Sequence, residues 1–279
     1  MDLRICLNLS TVGHLDYESQ LKTSAQGGFK AVGLRINRLE EYLASGHTIE
    51  EAKGLLERNE LIPVEMNFFS DWIYARGKGQ REILDRFRNF SEISGALGCH
   101  VIIATTQCEG DPDEVLAQEN FKEICHLASE SDVLVALEFL PWSPINTIRK
   151  AWEFVNKVDH PKGGIALDTF HYFKGGSSQK DLWEVPIDKV FIVHLADVVD
   201  IQADVVTLCR NYRVLPGEGI FIFDEFLEYL FKRGYKDYYS LEILNKDYPL
   251  EDPLEICTRA KSSMEDLLAS YAQKFEKGR

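Results

Sequence analysis

The sequence predicts a single (β/α)8 barrel, a TIM barrel, with residues 1–279 as one domain. Short apolar runs rich in Val, Ile and Phe recur along the chain, and each is followed by a longer segment with helical spacing. A length of 279 residues suits one such barrel. The alternative is an open doubly wound sheet, but no glycine-rich phosphate loop follows the first apolar run, so the barrel is the better interpretation.

The strands are predicted where apolar residues run almost without polar alternation, which is typical of parallel strands buried on both faces. In order, these runs are 3–8, 31–36, 63–68, 101–105, 133–139, 164–168, 189–196 and 238–243. Helices are predicted between them, for example over 80–97 and 222–231, where apolar residues return every three or four positions. Glycines end several helices just before the next strand, and the last helix is expected to end near residue 275.

Composition excludes some classes of partner. The chain has 45 carboxylates against 31 Lys plus Arg, a net charge of −14, which argues against nucleic acid because phosphate binding depends on cations. No apolar run approaches about 18 residues, so no membrane span is expected. The amino-terminal residues lack the pattern of a secretory signal, and the six scattered cysteines form no C-x-x-C pair. These features predict a cytoplasmic protein that acts on small molecules.

Candidate metal ligands end four of the later strands. Glu138, Asp168 and Glu242 each close an apolar run, and His194 lies near the end of another. In sequence, Glu138 is separated from Asp168, and Asp168 from His194, by the length of one βα unit each. The separation from His194 to Glu242 is longer because it contains an insertion over 198–219. The carboxyl ends of barrel strands meet at one mouth, so three carboxylates and one imidazole are predicted to surround a divalent ion such as Mn²⁺, Mg²⁺, Co²⁺ or Zn²⁺. Each residue alone has an ordinary structural explanation, but the four together favour a metal site.

Two further residues are expected near this mouth. His171 follows Asp168 closely enough to support a metal ligand or to contact a bound substrate, although a simple loop histidine is an equal alternative. Arg213 lies in the long insertion with Arg210 and is the preferred anchor for a substrate oxygen or carboxylate. An exposed surface arginine is the alternative for Arg213.

Other candidates for substrate contacts follow the second, third and fifth strands. Arg35 and Asn67 are candidates to hydrogen-bond substrate hydroxyls, with surface or helix-start roles as alternatives. Aromatic side chains are candidates to wall the pocket, although core packing is their commoner fate. These aromatic residues are Phe68, Phe69, Trp72 and Trp142.

With these residues placed, the chain resembles the xylose-isomerase-like barrel family of sugar isomerases and epimerases. The resemblance runs from the first strand to about residue 265 and is most specific in five segments. They are Ala-Leu-Glu-Phe-Leu-Pro-Trp (136–142), Leu-Asp-Thr-Phe-His (167–171), Val-His-Leu-Ala-Asp (193–197), Leu-Pro-Gly-Glu-Gly (215–219) and Ser-Leu-Glu-Ile (240–243). Within the family the chain looks most similar to inosose isomerases and to 3-dehydroshikimate dehydratases.

Both branches imply one divalent metal held by Glu138, Asp168, His194 and Glu242. The family also has a nuclease branch, but its extra metal ligands are not found in this sequence, and the charge of −14 opposes DNA. Barrels of the family commonly pair, so the resemblance alone implies a homodimer.

The leading hypothesis is an isomerase or epimerase of carbohydrate metabolism that acts on a ketose or an inosose-like cyclic keto-polyol. A metal that chelates the carbonyl and a neighbouring hydroxyl would acidify the C–H between them and stabilise the enediolate. The resemblance implies that Glu138 and Glu242 flank the substrate as catalytic acid and base, in an order left open, and that His171 polarises the reacting oxygen. The alternatives are a metal-dependent dehydratase of a keto-acid such as 3-dehydroshikimate and a catalytically inactive sugar-binding barrel.

Overall fold

The fold is a closed barrel of parallel strands, seen in a computed structural model that describes residues 3–107, 110 and 112–277. Within these residues the barrel strands are β1 (Arg4–Asn8), β2 (Ala31–Arg35), β3 (Ile62–Phe69), β4 (Val101–Thr105), β5 (Leu134–Glu138), β6 (Gly163–Asp168), β7 (Val190–Leu195) and β10 (Tyr238–Leu241). Two short strands, β8 (Asp197–Val198) and β9 (Arg213–Val214), pair antiparallel outside the barrel. The pairing of β1 with β10 closes the ring and excludes the open sheet.

Helices surround the barrel and connect its strands. They are α1 (Tyr17–Gln26), α2 (Ile36–Ala44), α3 (Ile49–Arg58), α4 (Gly77–Leu97), α5 (Glu114–Glu130), α6 (Ile148–Val158), α7 (Thr169–Lys174), α8 (Gln179–Trp183), α9 (Val205–Asn211), α10 (Asp224–Arg233) and α11 (Pro253–Lys277). Short polar side chains cap many of them; Thr48 and Glu51 form a reciprocal capping box at the start of α3. No helix in the described ranges is long and apolar enough to cross a membrane.

The predicted strand positions are confirmed to within a few residues. The largest difference is at β10, which ends at Leu241 although the apolar run continues to Ile243. The backbone N–H of Glu242 still donates to the carbonyl of Leu195 at 3.2 Å, so the chain remains beside β7 at this point. The last helix, α11, is described as far as Lys277, close to its predicted end.

The alternation of side chains along each strand decides what faces the barrel interior. Ala136, Ala166 and Ile192 belong to a compact apolar cluster formed mostly by strand residues. Glu138, Asp168 and His194 each come two positions later on the same strands. Successive side chains in a strand point to opposite faces, so these three point into the barrel, above the apolar layer and toward its carboxyl-terminal mouth. A larger core lies between the strands and the surrounding helices and includes Leu137, Leu167 and Leu195.

The cysteines are part of this packing. The five that the structure describes are free and buried, as expected of thiols among apolar residues. They are Cys6, Cys99, Cys125, Cys209 and Cys257. Cys108 lies outside the described residues.

Candidate metal centre

The four predicted ligands meet at the carboxyl-terminal mouth of the barrel. Glu138, Asp168, His194 and Glu242 each offer one ligand atom, and these four atoms all lie within 4.8 Å of one another. All four residues are buried. Asp168 and His194 are register partners across β6 and β7, so their proximity follows from the strand pairing. The arrangement confirms the predicted convergence of three carboxylates and one imidazole.

A buried carboxylate that the sequence analysis missed orients the imidazole. Glu65, in β3, is fully buried, and its Oε2 lies 2.7 Å from Nε2 of His194. Its Oε1 accepts hydrogen bonds from Asn8 Nδ2 at 3.1 Å and from Ser240 Oγ at 2.7 Å. An ionised carboxylate can only accept, so Nε2 of His194 must donate to it. Nδ1 of the same ring is then left facing the three other ligands, at 3.3 Å from Glu138 Oε1.

A glycine on the neighbouring strand makes room for this carboxylate. A Cβ atom at Gly33, in β2, would lie 2.3 Å from Glu65 Oε1 and 2.7 Å from its Cγ. The register of β2 against β3 also shifts between Val32 and Gly33. Glu65 therefore occupies space that any other residue at position 33 would fill.

The buried atoms at the centre of the cluster fit a divalent cation. Within the described residues, Glu138 Oε1 and His194 Nδ1 are buried and have no hydrogen-bond partner. Buried polar atoms normally have partners, so this pair is unusual unless an ion is coordinated between them. Carboxylate oxygens and an imidazole nitrogen suit several divalent ions. The donor set and the two unpartnered atoms therefore fit the predicted metal.

The charges of the cluster are strongly coupled. Burial raises the pKa of Glu138 to about 7, with the carboxylate of Glu242 adding to the rise and His194 opposing it. Burial opposes a charged His194, but Glu65 and Glu138 outweigh it and raise the pKa of this imidazole well above its usual range. Metal binding needs the Glu138 carboxylate and a lone pair on His194 Nδ1, so the ion must displace protons from this cluster.

Arg213 is fully buried and points at the ligands. Its Nη1 donates to Asp168 Oδ2 at 2.8 Å and to Glu242 Oε2 at 3.2 Å. Burial alone would raise the pKa of Asp168, yet Arg213 leads the interactions that lower it to about 2. The guanidinium also lies over the ring of Phe170, 4.7 Å from its centroid. The exposed alternative for Arg213 is therefore excluded, and its contact with a substrate remains a prediction.

His171 is also buried beside the cluster. Its Nε2 lies 3.3 Å from Nη2 of Arg213, and its backbone N–H donates to Asp168 Oδ1 at 2.8 Å. A guanidinium only donates, so Nε2 must accept and the ring proton belongs on Nδ1, which is buried without a partner among the described residues. Burial lowers the pKa of His171 to about 3, so the ring is neutral at pH 7.

A second buried acid holds the inserted segment that carries Arg213. Asp197 follows β7 and accepts four backbone N–H groups, two on each carboxylate oxygen. The donors are Val198 at 2.8 Å, Phe221 at 2.9 Å, and Gly217 and Gly219 at 3.1 Å each. This carboxylate therefore holds the end of the inserted segment against the end of β7. The motifs at 193–197 and 215–219 are both recognisable in the sequence, but the contact between them appears only in the folded chain.

The remaining predicted residues have different surroundings. Arg35 is half-buried, and its Nε donates to Asn37 Oδ1 at 3.2 Å; burial lowers its pKa while the nearby Glu242 acts in the opposite direction. Asn67 is buried and donates to the carbonyl of Leu34 at 3.3 Å. Both residues lie at the carboxyl-terminal end of the barrel, where the four candidate ligands meet, and their contacts with a substrate remain predictions.

Three of the four aromatic residues divide between core and mouth, whereas the side chain of Phe68 is exposed. Trp72 is fully buried, donates through Nε1 to the carbonyl of Thr105 at 2.9 Å and packs on Phe121. Phe69 packs edge-on against Phe87 in the same core. Neither walls the mouth, because each fills space between the barrel and its helices. Trp142 does face the site, with its ring centroid 5.6 Å from that of His171.

The closed parallel barrel and the four converging side chains define a barrel protein with a candidate metal centre at its carboxyl-terminal mouth. The sequence profile of the xylose isomerase-like TIM barrel family matches residues 21–266. The chain belongs to this family.

Relatives of the chain are named enzymes. It is 27% identical to the inosose isomerase of Halalkalibacterium halodurans over 96% of this chain and 98% of the relative. It is 26% identical to the 3-dehydroshikimate dehydratase of Pseudomonas putida over 82% of this chain and 36% of that longer protein. Among solved structures, the IolI protein with a bound zinc atom matches with a TM-score of 0.88 and 26% identity, over 96% of this chain and 99% of that one.

Proposed function

We propose that this protein is a divalent-metal-dependent isomerase or epimerase of a ketose or cyclic keto-polyol. The observation that carries the proposal is the buried cluster of three carboxylates and one imidazole, with two inward-facing atoms that have no partner in the described chain. The full-length similarity to inosose isomerases supports the substrate class. The ion is Mn²⁺, Mg²⁺, Co²⁺ or Zn²⁺, and the zinc atom bound by the similar IolI protein is consistent with this set.

Glu138, Asp168, His194 and Glu242 would hold the ion. When bound, it supplies positive charge that acidifies the C–H beside a carbonyl and stabilises the negative charge that develops on oxygen. Glu138 and Glu242 provide the carboxylates that remove the proton and return it. Arg213 donates to Glu242 and fixes one of these carboxylates in place.

His171 is proposed to position the oxygen that changes between carbonyl and hydroxyl. Its Nδ1–H is the atom left without a partner, and the ring is neutral at pH 7 because its pKa is lowered to about 3. A neutral imidazole can donate a hydrogen bond to a carbonyl oxygen without protonating it fully. Arg35, Asn67 and Trp142 are proposed to complete the substrate contacts at the mouth, and the dimeric state remains a proposal.

The second candidate is a dehydratase of a keto-acid such as 3-dehydroshikimate. It is favoured by the similarity to 3-dehydroshikimate dehydratases over 82% of the chain. Such an enzyme shares the proton removal but expels a β-hydroxyl group instead of returning the proton. Because the pKa of His171 is lowered to about 3, little imidazolium is present at pH 7, so this residue is a poor source of a proton for the leaving group.

Solvent exchange separates these two activities. The metal-loaded protein is incubated in D₂O with a panel of ketoses, inososes and 3-dehydroshikimate. An isomerase places deuterium on the product carbon beside the carbonyl without loss of water, whereas a dehydratase produces an α,β-unsaturated product that absorbs in the ultraviolet. A purified protein that retains no divalent metal and turns over nothing in the panel would instead support the sugar-binding barrel.

Glu242→Gln tests the carboxylate role. We expect turnover to be nearly abolished, because the amide cannot accept the proton, while part of the metal affinity remains with the other three ligands. Glu60→Gln is the control, since Glu60 is exposed and pairs only with Lys30 in the described chain. Unchanged turnover in Glu242→Gln would remove this residue from the mechanism.

A further inference from the structure

A cleft opens beside the metal centre. It has a volume of about 840 Å³ and lies at the carboxyl ends of β3, β4 and β5, with α9 on its other side. Its size is in the range of sites for small molecules. None of the four metal ligands lines it, so it is a compartment adjacent to the ligand cluster.

Trp142 connects this cleft to the reacting end of the site. Its side chain lines the cleft, and its ring packs edge-on against the ring of His171. Nε2 of His171 is in turn 3.9 Å from Glu138 Oε1. Trp142 therefore lies between the ligand cluster and the cleft and contacts both the cleft and the residue beside the cluster.

Within the described residues, the two acidic side chains that line the cleft have partners, whereas its two arginine side chains do not. Asp71 pairs with Arg86 at 3.1 Å, and Asp113 accepts the backbone N–H groups at the start of α5 at 3.0 and 3.2 Å. Arg76 and Arg210 are exposed, and neither guanidinium makes a hydrogen bond or ion pair with any residue that the structure describes. The chain as a whole is acidic, with a net charge of −14, yet two arginines without a side-chain partner among the described residues line the same cleft.

We propose that this cleft binds an anionic oxygen group, a phosphate or a carboxylate, on a substrate whose carbonyl reacts at the metal centre. Arg76 and Arg210 are its binding residues, because guanidinium groups match the geometry of both anions. The proposal rests on the proposed function and narrows it: an uncharged ketose or inosose would leave both arginines without a partner. The anionic group lies at the end of the substrate remote from the reacting carbonyl.

The first test measures anion binding without turnover. Inorganic phosphate is titrated by calorimetry into the metal-loaded wild type and into the double variant Arg76→Gln/Arg210→Gln. We expect phosphate to bind about tenfold more weakly to the double variant, because hydrogen bonds to charged groups are lost. The control is Arg58→Gln/Arg149→Gln, which removes the same charge from exposed positions outside the cleft. Equal phosphate affinity in all three proteins overturns the proposal.

The second test compares substrates in matched pairs. A ketose is compared with its phosphate ester, and an inosose with a keto-acid of similar size, by deuterium exchange. For the preferred anionic substrate, the double variant should lose about tenfold in kcat/KM, mainly through KM, while the neutral partner changes less than twofold. The pair in which the wild type prefers the anionic member shows whether the cleft binds a phosphate or a carboxylate. Equal kcat/KM for neutral and anionic partners in the wild type overturns the proposal.

The two hypotheses fail in different ways. Absence of exchange with every substrate, together with loss of phosphate binding in the double variant, contradicts the proposed isomerase activity and leaves the anion site standing. Exchange that is equally fast with neutral substrates, together with unchanged phosphate binding, contradicts the anion site and leaves the isomerase.

Discussion

Replacing Glu65 by Gln should weaken metal binding although Glu65 is not itself a ligand. The carboxylate accepts from His194 Nε2 at 2.7 Å and thereby leaves the lone pair of Nδ1 for the ion. In Glu65→Gln, an amide oxygen that still accepts from Asn8 and Ser240 places its NH₂ group against Nε2. The imidazole must then accept at Nε2 and carry its proton on Nδ1, the atom that faces the other ligands.

The magnitude follows from the geometry of this contact. The amide cannot satisfy the network by rotating, because its NH₂ group would then face the NH₂ group of Asn8, which donates to the same carboxylate at 3.1 Å. Loss of a partner that orients a metal-binding histidine typically costs tenfold to a hundredfold in affinity. This corresponds to about 1.4–2.7 kcal/mol of metal-binding free energy.

Calorimetric titration of the metal-free protein with Zn²⁺ or Mn²⁺ measures this loss directly. Two variants serve as controls: Glu60→Gln removes an exposed carboxylate, and Ser240→Ala removes one donor to Glu65 but keeps its charge and its contact with His194. Both should bind metal within about threefold of the wild type. A folded Glu65→Gln protein with wild-type metal affinity would refute the orienting role, and a thermal melt without metal establishes that the variant is folded.

Three other predictions concern the same region. Metal affinity should rise at least about tenfold from pH 6 to pH 8 in a calorimetric titration. The pKa of Glu138 is raised to about 7 and that of His194 is raised as well, so both residues must lose protons when the ion binds. A metal affinity that does not change with pH would contradict this release of protons. Gly33→Ala should lower metal affinity as Glu65→Gln does, since its Cβ would displace that carboxylate, whereas unchanged affinity would show that the strands can adjust. Asp197→Asn should lower the free energy of unfolding by about 2 kcal/mol or more in urea denaturation, because the new amide NH₂ would face backbone N–H donors. Unchanged stability would show that Asp197 does not hold the inserted segment in place.

The sequence alone determined the barrel and its four converging ligands. Both depend on local information, since apolar runs define the strands and a polar residue at the end of each run defines its ligand. In a parallel barrel, the carboxyl ends of all strands meet at one mouth, so Glu138, Asp168, His194 and Glu242 are brought together by topology. No knowledge of side-chain packing is needed for this prediction.

Other parts of the site depend on contacts between distant segments. Glu65 was missed although a lone charge within an apolar run is a signal that it needs a buried partner. Its partners, His194 and Ser240, lie 129 and 175 positions away. The core position of Trp72 was likewise not distinguished from a place in the pocket wall, because both surroundings are apolar.

The tertiary structure also decided where the charges point. Arg213, predicted as an anchor for a substrate oxygen, is the buried partner of Asp168 and Glu242, since the pairing of β8 with β9 returns the inserted segment to the mouth. The strand ends specify which residues reach the centre, whereas hydrogen bonds across the barrel specify which atom of each residue faces it. Such bonds join segments that are adjacent only after the barrel has closed, so no local pattern in the sequence records them.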